Sequence, residues 1–125
     1  MTNEYFDAGL KVRKQVLGEK YVEDALANAS EFKRDFQEFA TEHCWGACWT
    51  RGGISNKTRS LLNIAILASA GREPELKLHV GGAIRNGATK EEIKEVLIQV
   101  AVYCGIPAAN DGFRIADEAL ADFDQ

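Results

Sequence analysis

The chain has 125 residues, 46% of them hydrophobic and 27% charged, with a net charge of -4. Such a length predicts a single domain, 1–125, built on one core, and the composition is that of an ordinary soluble globular protein. The acidic balance, without a basic cluster carrying interleaved aromatics, excludes nucleic acid as the main partner, because phosphate binding needs a concentrated cationic face.

The N-terminal stretch MTNEYFDAGLKVRKQVLG carries charges throughout and lacks the apolar centre of a signal peptide. No apolar run approaches the ~20 residues that span a bilayer. Cys44, Cys48 and Cys104 form no dense framework, which favours a reducing compartment. The expectation is a cytoplasmic protein that binds neither membrane nor nucleic acid.

In chain order, everything reads as helix. Starts are predicted near Asn3, Glu19, Ser30, Ser55, Glu73, Thr89 and Pro107. Stops fall at Gly18, Gly71, Gly87 and Gly105, the usual left-handed cap residue. Thr89 and Glu92 spell a capping box, and Pro107 suits a first helical turn. The segment WTRGGI, 49–54, is the one long irregular piece, and no period-two apolar run marks a strand.

Two of these helices are apolar nearly all round. One carries Leu61, Leu62, Ile64, Ala65, Ile66, Leu67 and Ala68; the other carries Val96, Leu97, Ile98, Val100, Ala101 and Val102. A helix apolar on every side must be buried on every side. Six or seven helices cover two such members poorly, so an obligate homo-oligomer is expected. The alternative is a central hairpin wrapped by the other helices.

The segment 75–109 carries the chemistry. Residues four apart on a helix are neighbours, so Glu75 is placed to orient the His79 ring and to raise its pKa, giving an acid/base device. Against this stand a satisfied core histidine and a Glu75 paired with Lys77 or Arg72. Gly81 and Gly82 within the same helix cost about 1 kcal/mol each relative to alanine, which points to close packing beside them.

Six pieces then point to a family: WTRGGI at 49–54, KTRSLL at 57–62, ASAGR at 68–72, ELKLHV at 75–80, AIRNGATKEEI at 83–93 and VYCGIPAA at 102–109. In this order and spacing the chain resembles the carboxymuconolactone decarboxylase family over 36–109. The resemblance implies an all-α, AhpD-like fold of six to seven helices, assembled as a homo-oligomer, a trimer or hexamer. Peroxidase-type members of that family carry a C-x-x-C-x-x-x-H motif. With His79 as its histidine, the cysteine positions here are Arg72 and Glu75, which cannot run a resolving-cysteine cycle.

Cys44 and Cys48 keep a thiol-dependent peroxidase open as an alternative. Their i, i+4 spacing meets disulfide geometry poorly without local unwinding, and inert packing is the other reading for all three cysteines. Two histidines are too few to complete a metal site.

The resemblance further implies a cofactor-independent decarboxylase of 4-carboxymuconolactone or a related small carboxylated lactone. The lactone carbonyl of that substrate takes the electrons left by carbon dioxide, so no cofactor is needed. His79 is then expected as general acid/base with Glu75 beside it, and Tyr103 as donor to the enolate oxygen. Arg51, Arg59, Arg85 and Trp49 are the substrate-binding candidates. Arg59 opposes the dipole of its own helix, a placement that favours anion binding. Each of these residues also has a plain reading as a surface or packing residue. Ala47 stands where decarboxylase-type members often carry an acidic residue, which leaves another lactone or acid, or a non-catalytic oligomeric binding protein, as alternatives.

Overall fold

The computed structural model describes residues 3–123. Its backbone falls into two compact units, Met1–Ile54 and Ser55–Gln125.

The first unit contains α1 (Glu4–Leu17), α2 (Glu19–Ala27) and α3 (Glu31–Phe39), the last running on into a π-helix, π1 (Ala40–Cys48). Asn3 and Ser30 cap α1 and α3 by accepting from the backbone N–H groups of Phe6 and Lys33. In π1 the backbone bonds reach back five residues, as from the Trp49 N–H to the Cys44 carbonyl at 3.1 Å. Helix α1 packs directly on this segment. A Cβ at Gly9 would run into the Thr41 carbonyl and the Gly46 backbone, and one at Gly46 would run into the Tyr5 carbonyl. Two glycines therefore let the two backbones touch.

The packing gives π1 an inner and an outer side. Thr41, Trp45, Gly46 and Trp49 are buried, while His43, Cys44, Ala47 and Cys48 are exposed. Trp45 and Trp49 stack with ring centroids 4.8 Å apart. From α1, the buried Arg13 donates to Thr41 Oγ1 at 3.1 Å and to Gln37 Oε1 at 3.0 Å, tying the two helices together. Burial holds its guanidinium pKa below the ordinary value.

The second unit is built from α4 (Asn56–Ala70), α5 (Glu73–Arg85), α6 (Lys90–Cys104) and α7 (Ile106–Ala121). Its core joins Ile64, Leu76, Val80, Ile93, Leu97 and Ile115, one or two residues from each helix. Gly112 brings α7 close: a Cβ there would come within 2.9 Å of Leu97 Cδ2. Asn86, which ends α5, donates to the buried Ser60 Oγ of α4 at 2.9 Å. The predicted capping box is formed in both directions between Thr89 and Glu92.

The all-α architecture expected from the sequence is present: seven α-helices and no strand among the described residues. Every predicted start lies within one residue of the observed one, and Gly18, Gly71, Gly87 and Gly105 all take positive φ. No helix among the described residues is long and apolar enough to cross a membrane.

Within the second unit, the two apolar helices are not buried on every side. Leu62 and Ile66 of α4 are 50% and 59% exposed, and Val102 of α6 is 72% exposed. The helices of this unit cover one side of each and leave the other open.

Candidate functional site

His79 lies on α5 along the stripe formed by Leu76, Val80 and Ala83, all of which are core residues. The ring is itself largely buried, and burial pushes its pKa down to about 4, against the pull of the Glu75 carboxylate. The sequence led us to expect a raised pKa. Glu75 does act in that direction, but it is exposed and its charge is screened, whereas the ring pays the larger cost of leaving water. At neutral pH the imidazole is therefore uncharged, able to accept a proton and to donate the one it keeps.

Around the start of α5 lies a cavity of about 220 Å³, lined among others by Leu67, Gly71, Arg72, Leu76 and Ile115. Leu76 precedes His79 by three residues, one helical turn. Glu73 and Asp111 also line this cavity. Arg114 engages both, at 3.0 Å from Glu73 and 3.9 Å from Asp111.

The other residues singled out from the sequence are dispersed. Arg59 is half-buried in the first turn of α4, just after the cap that Ser55 Oγ makes to the Thr58 N–H at 3.1 Å. Arg85 is exposed in the last turn of α5, its guanidinium 5.4 Å from the centroid of the Phe123 ring. Gly81 makes room for that arrangement, since a Cβ there would come within 3.2 Å of Arg85 Nη1. The close packing expected beside this glycine is thus with a residue of its own helix and with the C-terminal phenylalanine.

Tyr103 is 79% exposed and borders a groove with Ala65, Ile66, Val100 and Cys104, a lining that does not include His79. In the first unit, Arg51 is exposed in the loop 49–54 and Trp49 is buried against Trp45. Cys44, Cys48 and Cys104 all reach the surface, Cys44 with its thiol partly covered. Burial pushes the Cys44 thiol up, Cys48 adds to this, and Arg13 opposes it. A thiol held protonated in this way is a poor peroxide nucleophile.

Arg13 was missed in the sequence because a charged residue on an amphipathic helix reads as surface. The signal available was its spacing from Gly9 and Val16, which puts all three on the inner side of α1.

Comparison with known proteins matches residues 34–118 to the carboxymuconolactone decarboxylase family. The chain is 43% identical to the 4-carboxymuconolactone decarboxylase of Acinetobacter baylyi, over 94% of this chain and 87% of that protein. It is 45% identical to the nitrosuccinic acid decarboxylase of Metarhizium robertsii, over 94% of this chain and 82% of that one. With its helices and these relatives in agreement, the chain belongs to the carboxymuconolactone decarboxylase family and is a decarboxylase-like enzyme of it.

Proposed function

We propose that the chain catalyses the cofactor-independent decarboxylation of a small dicarboxylic acid that contains its own electron sink, 4-carboxymuconolactone or an acid of the same pattern. The observation that carries this reading is that two relatives, each spanning 94% of the chain, are named as decarboxylases of such acids. In 4-carboxymuconolactone the electron pair of the breaking carbon–carbon bond passes through the ring double bond to the lactone carbonyl. In nitrosuccinic acid a nitro group takes the same part. Neither reaction needs an external electron acceptor, and both end with protonation of carbon.

His79 is assigned as the group that delivers that proton. Its ring is neutral in the free protein, and an arriving dianion favours the imidazolium. Substrate binding thus loads the ring with a proton in a place where water does not compete for it. Loss of carbon dioxide leaves a carbanion equivalent, and His79 protonates it. Glu75 steadies the charged form. Arg59 and Arg85, in the same unit as His79, are the cations assigned to the substrate carboxylates, since a guanidinium forks onto a carboxylate. Ala47 supplies no carboxylate, so the acid step is assigned to the imidazole.

The test is turnover of both acids by the wild-type protein and by His79→Ala. Loss of a general acid lowers turnover on the order of 10²–10⁴-fold, with helical content and mass of the assembly retained. Unchanged turnover in the variant removes His79 from the mechanism; no turnover of either acid by the wild type removes this substrate class.

We also infer that copies of the chain associate through the uncovered sides of α4 and α6. Leu62 and Ile66 on α4 and Ile98 and Val102 on α6 are large apolar side chains left exposed one helical turn apart.

A further inference from the structure

The π-helix places two thiols in one row on its outer side. Three observations define that row. The burial pattern turns Thr41, Trp45, Gly46 and Trp49 inward and Cys44 and Cys48 outward. Two other pairs at the same four-residue spacing are in ring contact, Phe39 with His43 at 4.4 Å between centroids and Trp45 with Trp49 at 4.8 Å. Cys44 precedes Trp45 and Cys48 precedes Trp49, so the thiols repeat the tryptophan register one residue round the helix. Gly46, midway between them, has its backbone seated on the Tyr5 carbonyl of α1, which holds the segment from within.

We propose that Cys44 and Cys48 act together as a dithiol site for a soft, thiophilic centre that bridges both sulfurs, of the class represented by a trivalent arsenical. Side chains one helical turn apart have Cβ atoms about 5–6 Å from each other, whereas a disulfide needs Cβ atoms about 3.8 Å apart and sulfurs in direct bond. A third atom between the sulfurs spans that gap without unwinding the helix. Soft centres select thiolate ligands. Among the described residues no group of three or more His, Cys, Asp or Glu stands together to hold an ion, so the donor set suits a centre content with two sulfurs and not tetrahedral zinc.

The chemistry balances without oxidation or reduction. With an arsine oxide, both arsenic–oxygen bonds break, two arsenic–sulfur bonds form, and the two thiol protons leave with the oxygen as water. The site lies in the first unit and does not depend on the decarboxylase reading.

The test uses the full-length, reduced protein and phenylarsine oxide as the probe, followed by thiol counting and intact mass. One arsenical per chain is expected, with two of the three thiols lost and Cys104 still reactive. Release should follow addition of a dithiol and not of an equal concentration of monothiol. Cys104→Ser should bind as the wild type does. Cys44→Ser and Cys48→Ser, each replacing an exposed side chain by one of the same shape, should lose on the order of 10²-fold in affinity as the second arm of the chelate is removed. Binding that requires Cys104, survives in either serine variant, or reverses with monothiol overturns the proposal. So does a peptide map in which air oxidation closes a Cys44–Cys48 disulfide in the folded protein.

Discussion

Glu75 stands one helical turn before His79 on α5, and burial of the ring outweighs the pull of that carboxylate on its proton. The ring is thus held in its neutral form, and the carboxylate limits the depression that burial alone would impose.

A first consequence concerns stability and pH. His79 has a folded pKa of about 4, below its ordinary value of 6.5, so between those limits the unfolded chain binds more protons than the folded one. Stability then rises with pH through this window, is fully present above 6.5 and is lost as pH falls through 4. At about 1.4 kcal/mol per pKa unit, the loss attributable to this ring is on the order of 3 kcal/mol. Urea unfolding from pH 4 to 7 should show that slope in the wild type and a flatter one in His79→Gln.

Removing the carboxylate should expose what it contributes. In Glu75→Gln the His79 pKa is expected to fall further, since the opposing interaction is gone. Proton NMR of the ring hydrogens reads this directly. The pH–rate profile of the decarboxylation should move in the same direction, with kcat lowered more than KM is changed. A ring that titrates at the same pH in the variant would show that Glu75 does not act on His79.

The contact between α1 and π1 predicts a large and asymmetric response to methyl groups. Gly9→Ala and Gly46→Ala each drive a Cβ into backbone atoms that cannot rotate away. Each should cost about 3 kcal/mol or more. Gly52→Ala, with nothing within 4 Å of its Cβ, should stay within about 0.5 kcal/mol of wild type. Thermal unfolding of the three variants side by side makes the comparison.

The helix ends were legible in the sequence because their chemistry is local. Asn3, Ser30, Ser55 and Thr89 accept from N–H groups three residues on, and the four glycine stops need only a left-handed backbone. The π-helix was not legible. A ladder that shifts from four to five residues is settled by Gly9 and Gly46 meeting across 37 positions of sequence, and no short motif records that. The candidate site divides the same way. The spacing of Glu75 and His79 gave the carboxylate's effect on the ring, while the burial that reverses the net shift comes from tertiary packing.

Association through the apolar side of α4 and α6 is open to a simple experiment. Ile66→Glu and Val102→Glu each put a charge on an exposed position, so neither disturbs the core of its own unit. Both should shift the mass seen by light scattering towards ~14 kDa at low micromolar concentration. A wild-type protein already folded and monomeric under those conditions would overturn the inference.

The ring of Phe123 closes one wall beside α5. Its edge lies about 3.4 Å from where a side chain at Gly81 would begin, and it carries the Arg85 guanidinium on its face. Helix α7 ends at Ala121, so a chain cut back to that residue would keep every helix and lose this wall. The backbone of α5 at Gly81 would then stand open to water. One residue beyond the last helix thus shields the backbone of α5, and trimming the chain before it is a change to the packing of that helix.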